Sequence, residues 1–88
     1  TYYELKDLLH KNLVELIDIR TSTEREIYHI GGKHIPEEDI RNNPLLLNSK
    51  TPIVLYCESG NRSAKLIKDL NLPFKSLDGG ISNKKASN

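Results

Sequence analysis

Two short runs of branched aliphatic residues constrain this chain more than any other feature: Leu13-Val14-Glu15-Leu16-Ile17-Asp18-Ile19 and Ile53-Val54-Leu55-Tyr56. They are brief and nearly continuous in apolar character, which is the pattern of strands covered on both faces. Helical signals fill the segments around them. Thr1 and Glu4 read as a capping box, with Leu5, Leu8 and Leu9 at helical spacing to about His10. Thr21-Ser22-Thr23-Glu24 caps a short helix through Tyr28 before Gly31-Gly32, and His34-Ile35 is expected as a very short strand. Pro36 takes a first helical position, and Glu37, Glu38 and Asp39 complement the dipole of a turn running to about Arg41.

After the Asn42-Asn43-Pro44 break, Leu45, Leu46 and Leu47 are expected in the core and Asn48 to Pro52 in a loop. Ala64, Leu66, Ile67 and Leu70 form the apolar face of a helix beginning near Ser63 and ended by Asn71 and Pro73. Phe74-Lys75-Ser76-Leu77 alternates as a last strand, closed by Asp78-Gly79-Gly80. Helices alternating with strands predict a three-layer α/β/α fold with a small, mainly parallel central sheet. The domain is assigned to residues 1–81, with a polar, frayed tail over residues 82–88 that includes the solvated pair Lys84-Lys85.

Eighty-eight residues hold one domain with a modest core. A net charge of +1 with mixed signs gives no footprint for nucleic acid or an anionic membrane, and no apolar run approaches the length of a bilayer span. A soluble, cytoplasmic protein is expected. The chain begins at Thr1 rather than methionine, which admits an upstream part that has been removed. His29 and His34 lie too far from a ligand cluster to suggest a metal, so packing or hydrogen bonding is their expected role; no metal and no cofactor are predicted.

The only cysteine, Cys57, has no disulfide partner and is either inert or a nucleophile. A lone cysteine is commonly just a small buried hydrophobe. Here it ends a strand, at the edge where ligands of such folds bind, and is followed by Glu58-Ser59-Gly60-Asn61-Arg62-Ser63 and a helix. Gly60 can take a positive φ and curl the loop so that backbone N–H groups turn inward, making residues 58–63 an anion cradle. The helix dipole adds to it and would stabilise a thiolate, or a persulfide, at Cys57. Arg62 either fixes the loop or meets an incoming anion.

Cys57, Gly60, Arg62 and Ser63 resemble the rhodanese family's active-site loop, Cys-x-x-Gly-x-Arg followed by Ser. Leu16 to Arg20 is similar to that family's strand ending in Asp-x-Arg, with Glu24 a short gap later. His29-Ile30-x-Gly32 with Ile35-Pro36, and Leu77-x-Gly79-Gly80, resemble two further family segments. The resemblance spans about residues 1–81. It implies a sulfurtransferase with Cys57 catalytic through a persulfide, and Asp18 and Arg20 as an ion pair supporting the site edge. The implied partners are a small donor such as thiosulfate or a persulfide, and a thiol or sulfur-carrier protein as acceptor. It equally admits a non-catalytic docking or regulatory module of a larger protein.

Related phosphatases carry a loop one residue longer, whereas four residues separate Cys57 from Arg62, which favours sulfur over phosphate. The sequence departs from the family pattern in two places. It lacks the tryptophan that often follows Gly-Gly, and Glu58 occupies a position that is basic in many active members, so it should repel thiosulfate.

Overall fold

The computed structural model describes residues 2–82. In chain order it contains α1 (Tyr2–His10), β1 (Glu15–Asp18), α2 (Ser22–Ile27), β2 (Lys33–His34), α3 (Glu37–Asn42), a 3-10 turn (Pro44–Leu46), β3 (Ile53–Tyr56), α4 (Asn61–Leu70) and β4 (Lys75–Ser76). The strands form one sheet in the order β2-β1-β3-β4, with every neighbouring pair parallel. The α/β architecture expected from the sequence is therefore present.

The strand alternation sorts two cores. Ile17, Ile19, Ile53, Leu55 and Cys57 point to one face and pack with Ile40 of α3 and Leu66 of α4. Leu16 and Tyr56 point to the other, where they meet Leu5 of α1 together with Leu77 and Ile81. Because successive strand side chains face opposite ways, Cys57 continues the Ile53-Leu55 face, and its side chain points under α4. Tyr56 points to the opposite face, and its hydroxyl donates to the Gly31 carbonyl at 3.0 Å.

Helix boundaries follow local chemistry. Thr21 and Glu24 complete a reciprocal capping box at the start of α2. That helix stops at Ile27, ahead of the expected Tyr28, which becomes its C-cap. Pro36 stands one place earlier than expected, as the N-cap of α3, and the three acids fill its first turn. Asn71, at φ 52°, ends α4 in the left-handed conformation, and Leu72 donates to the Ile67 carbonyl behind it. The capping partner expected at Thr1 lies outside the described residues, as do Lys84 and Lys85.

The leucine triplet corrects one expectation. Leu47 is buried, but Leu45 is 86% exposed and Leu46 is also exposed. The 3-10 turn started by Pro44 spreads three consecutive side chains around its axis, so one face of core captures only one of them. The short strand expected at His34-Ile35 lies one residue earlier, at Lys33–His34, and the last strand shrinks to Lys75–Ser76. Past the expected boundary at Ile81, Ser82 is still tied in, donating its N–H to the Glu58 carbonyl at 2.9 Å. Among the described residues no helix is long and apolar enough to cross a membrane, and no group of three or more metal-ligating side chains is gathered.

Candidate active site

Cys57 leaves the carboxyl end of β3, and α4 begins four residues later at Asn61 rather than near Ser63. Gly60, at φ 93°, is the residue that turns the chain back. A side chain there would meet the Gly79 nitrogen at 3.1 Å and the Leu77 carbonyl at 3.2 Å, so both its conformation and its surroundings call for glycine. The turn brings two backbone donors onto the sulfur: Gly60 N–H at 3.1 Å and Ser63 N–H at 3.5 Å. The Ser63 hydroxyl also lies 3.5 Å from Sγ.

The outer wall of the loop is held from behind. Ile81 donates to the Cys57 carbonyl at 3.1 Å, and Ser82 does the same to Glu58. In a planar trans peptide the N–H points opposite to the C=O, so the Glu58 and Ser59 amides face away from that corner. Gly80 makes the approach possible: a Cβ on it would fall 2.4 Å from the Cys57 oxygen and 2.5 Å from the Glu58 oxygen. Cys57 itself is fully buried. Of the amides of residues 58–63 expected to turn inward, those of Gly60 and Ser63 meet the sulfur, which is enclosed rather than open.

The other loop residues divide by role. Asn61 N–H is directed to the Ser59 hydroxyl at 3.4 Å and not to the sulfur. Arg62 turns outward from the loop and grips Glu24 with two parallel bonds, at 2.9 Å to Oε1 and 2.7 Å to Oε2. The hydrogen bonds from Arg62 are the main reason the Glu24 carboxyl is lowered from 4.5 to about 2, and Glu24 in turn holds the guanidinium above its ordinary value. Of the two roles open to Arg62, the geometry supports fixing the loop, since its charge is already matched.

Asp18 and Arg20 form the expected ion pair, both fully buried at the end of β1, with Nε and Nη2 of Arg20 on the two carboxylate oxygens at 2.9 and 3.0 Å. Burial pushes the Asp18 carboxyl up, but the bonds and charge of Arg20 outweigh it and leave it below its usual value. Arg20 also donates to the Tyr28 carbonyl and lies 5.5 Å above the Tyr56 ring. Its remaining terminal nitrogen, Nη1, is 3.7 Å from Glu58 Oε2. The acid beside Cys57 thus stands against a buried cation. His29 and His34 take part in local bonding: Nδ1 of His29 accepts from Gly31 N–H, and Nε2 of His34 is 2.7 Å from the Arg20 carbonyl.

A family model described as a rhodanese-like domain matches residues 1–87. The chain belongs to the rhodanese-like domain family. Among solved structures it is similar to a rhodanese-related protein from Thermoplasma volcanium, with a TM-score of 0.82 and 22% identity over 97% of this chain and 87% of that one. At that identity the likeness speaks for the fold. A rhodanese-like domain protein from Staphylococcus aureus is 29% identical, covers 91% of this chain and 83% of its own, and has a TM-score of 0.73. A protein from Staphylococcus saprophyticus is 28% identical, with a TM-score of 0.75 over 92% of this rhodanese-like chain and 86% of that one. Comparison with curated proteins yields no match.

Sequence reasoning did not find three contributors to this rhodanese-like loop. The sequence marks Glu24 as a cap and as part of the family pattern, but not as the partner of Arg62, 38 positions away. Ser76, on β4, contacts the Ser63 hydroxyl and has no sequence signature of its own. Gly80 was read as part of a closing turn, and only the packed structure shows it against the Cys57 carbonyl.

Proposed function

We propose that this domain is a sulfurtransferase that carries a sulfane sulfur as a persulfide on Cys57. The observation that carries the reading is the convergence on Sγ of the Gly60 and Ser63 amides, from within and just after a Cys-to-Arg segment that has four residues between its ends. A ring of N–H donors at a helix start stabilises an anionic sulfur, whether thiolate or persulfide. The thiol proton leaves to solvent or buffer, and the Cys57 thiolate attacks the outer sulfur of the donor. A new S–S bond forms as the bond inside the donor breaks. From thiosulfate the leaving group is sulfite; from a persulfide it is a thiolate. An acceptor thiolate then attacks the outer sulfur, takes it as a new persulfide, and leaves the Cys57 thiolate restored.

Glu58 favours a persulfide over the dianion thiosulfate as donor, because a carboxylate beside the nucleophile repels a double negative charge more than a single one, even with Arg20 at 3.7 Å. Buried Cys57 supports a second reading, a docking or regulatory module without turnover. Intact mass after incubation with thiosulfate or a small persulfide donor separates the two. Gain of one sulfur atom, reversed by reductant and absent in Cys57→Ser, supports transfer; no gain with any donor supports the module.

A further inference from the structure

The buried sulfur is linked to a residue outside its loop by two hydroxyl groups. Ser63, fully buried on α4, has its Oγ within 3.5 Å of Cys57 Sγ, 3.2 Å from the Gly60 carbonyl and in close contact with the Ser76 hydroxyl. Ser76, half-buried on β4, is also 3.4 Å from that same carbonyl. Each hydroxyl has one proton to give and can accept.

An anionic sulfur only accepts, so the Ser63 hydroxyl, beside the N–H of the same residue, serves it only by pointing its single proton at Sγ. The Gly60 carbonyl competes for that proton. With Ser63 donating to sulfur, the contact between the two hydroxyls requires Ser76 to donate to the Ser63 oxygen. The chain then runs in one direction, from Ser76 to Ser63 to Sγ, and each donor polarises the next.

We propose that Ser76 is a positioning residue for Cys57, orienting the Ser63 hydroxyl so that it donates to the anionic sulfur. This deepens the persulfide reading above, since a thiolate and a terminal persulfide need the same donor, but the interaction exists whether or not the domain turns over.

Its test is the alkylation rate of Cys57 by iodoacetamide at one fixed near-neutral pH. In that reaction the thiolate displaces iodide, a new C–S bond forms, and no sulfur donor is involved. Ser76→Ala should slow the reaction by about two- to tenfold, the range for loss of one neutral hydrogen bond. Ser76→Thr should restore it and Ser76→Val, the same shape without a hydroxyl, should not. In a Ser63→Ala background, Ser76→Ala should have no further effect. A purely structural role for Ser76 would move the rate the other way, because loosening β4 against the loop would expose the sulfur. If Ser76→Ala does not fold, the Thr and Val pair carries the comparison. An unchanged or faster rate in folded Ser76→Ala or Ser76→Val, failure of threonine to restore it, or an undiminished effect in the Ser63→Ala background would overturn the proposal. Failure to form a persulfide alongside the expected alkylation pattern would overturn only the sulfurtransferase reading.

Discussion

Replacing Glu24 by glutamine isolates the charge that fixes Arg62. Glutamine retains an oxygen for the Thr21 N–H, which Glu24 accepts at 3.1 Å, so the cap of α2 survives while the ionic clamp on the loop is lost. The carboxyl is lowered from 4.5 to about 2. At about 1.36 kcal/mol per unit this sets a ceiling of roughly 3.4 kcal/mol. The Arg62 and Glu24 side chains are 39% and 32% exposed, and solvent screening at that exposure reduces the expectation to about 1–2 kcal/mol. Because the folded-state value lies below the unfolded one, the contribution is complete above about pH 5 and is lost as pH falls through 4.5 toward 2. Urea unfolding of both proteins across that range is the assay. The variant should be less stable by about 1–2 kcal/mol near neutrality, with the gap closing by about pH 2. Equal stability at neutral pH, or a gap that does not narrow in acid, would refute the reasoning.

Gly80→Ala should displace the loop, since its Cβ would fall 2.4 Å from the Cys57 carbonyl oxygen and the φ of 59° disfavours a side chain; a stability loss beyond the left-handed penalty of about 1–2 kcal/mol should accompany weaker persulfide formation, read by urea unfolding and intact mass. Asp18→Asn takes from the fully buried Arg20 guanidinium its two-point carboxylate partner and leaves only Glu58, at 3.7 Å, to balance it, at an expected cost of up to about 3–5 kcal/mol in urea unfolding, and a native-like midpoint would contradict it. Glu58→Gln removes the acid beside the nucleophile and should speed persulfide formation from thiosulfate more than from a neutral sulfane donor, with the difference shrinking at high salt; equal gains for both donors would show that charge is not the cause.

The sequence alone determined the order of the elements and the turn of the loop after Cys57. The aliphatic runs at residues 13–19 and 53–56 supply adjacent parallel strands, the first reduced to Glu15–Asp18 with Leu13 left exposed, because burial on both faces is written in the composition of their centres. Gly60 is legible as the turning point, because a cradle following a strand calls for a residue free to adopt positive φ. The capping box at Thr21 and Glu24 is equally local.

What only the tertiary structure decided depends on which distant residues the parallel crossovers bring together. Leu45, Leu46 and Leu47 are indistinguishable by hydropathy, and only the Leu47 side chain faces the core that forms. Arg62 could have faced an anion until α2 put Glu24 in front of it. Ser76 reached the Ser63 hydroxyl through pairing of β4 with β3, and Gly80 became the support of the Cys57 carbonyl by closing against the loop. Enclosure of the sulfur follows in the same way. Local patterns encode backbone conformation and burial, whereas side-chain partners are fixed by sheet order and register, which no single segment specifies.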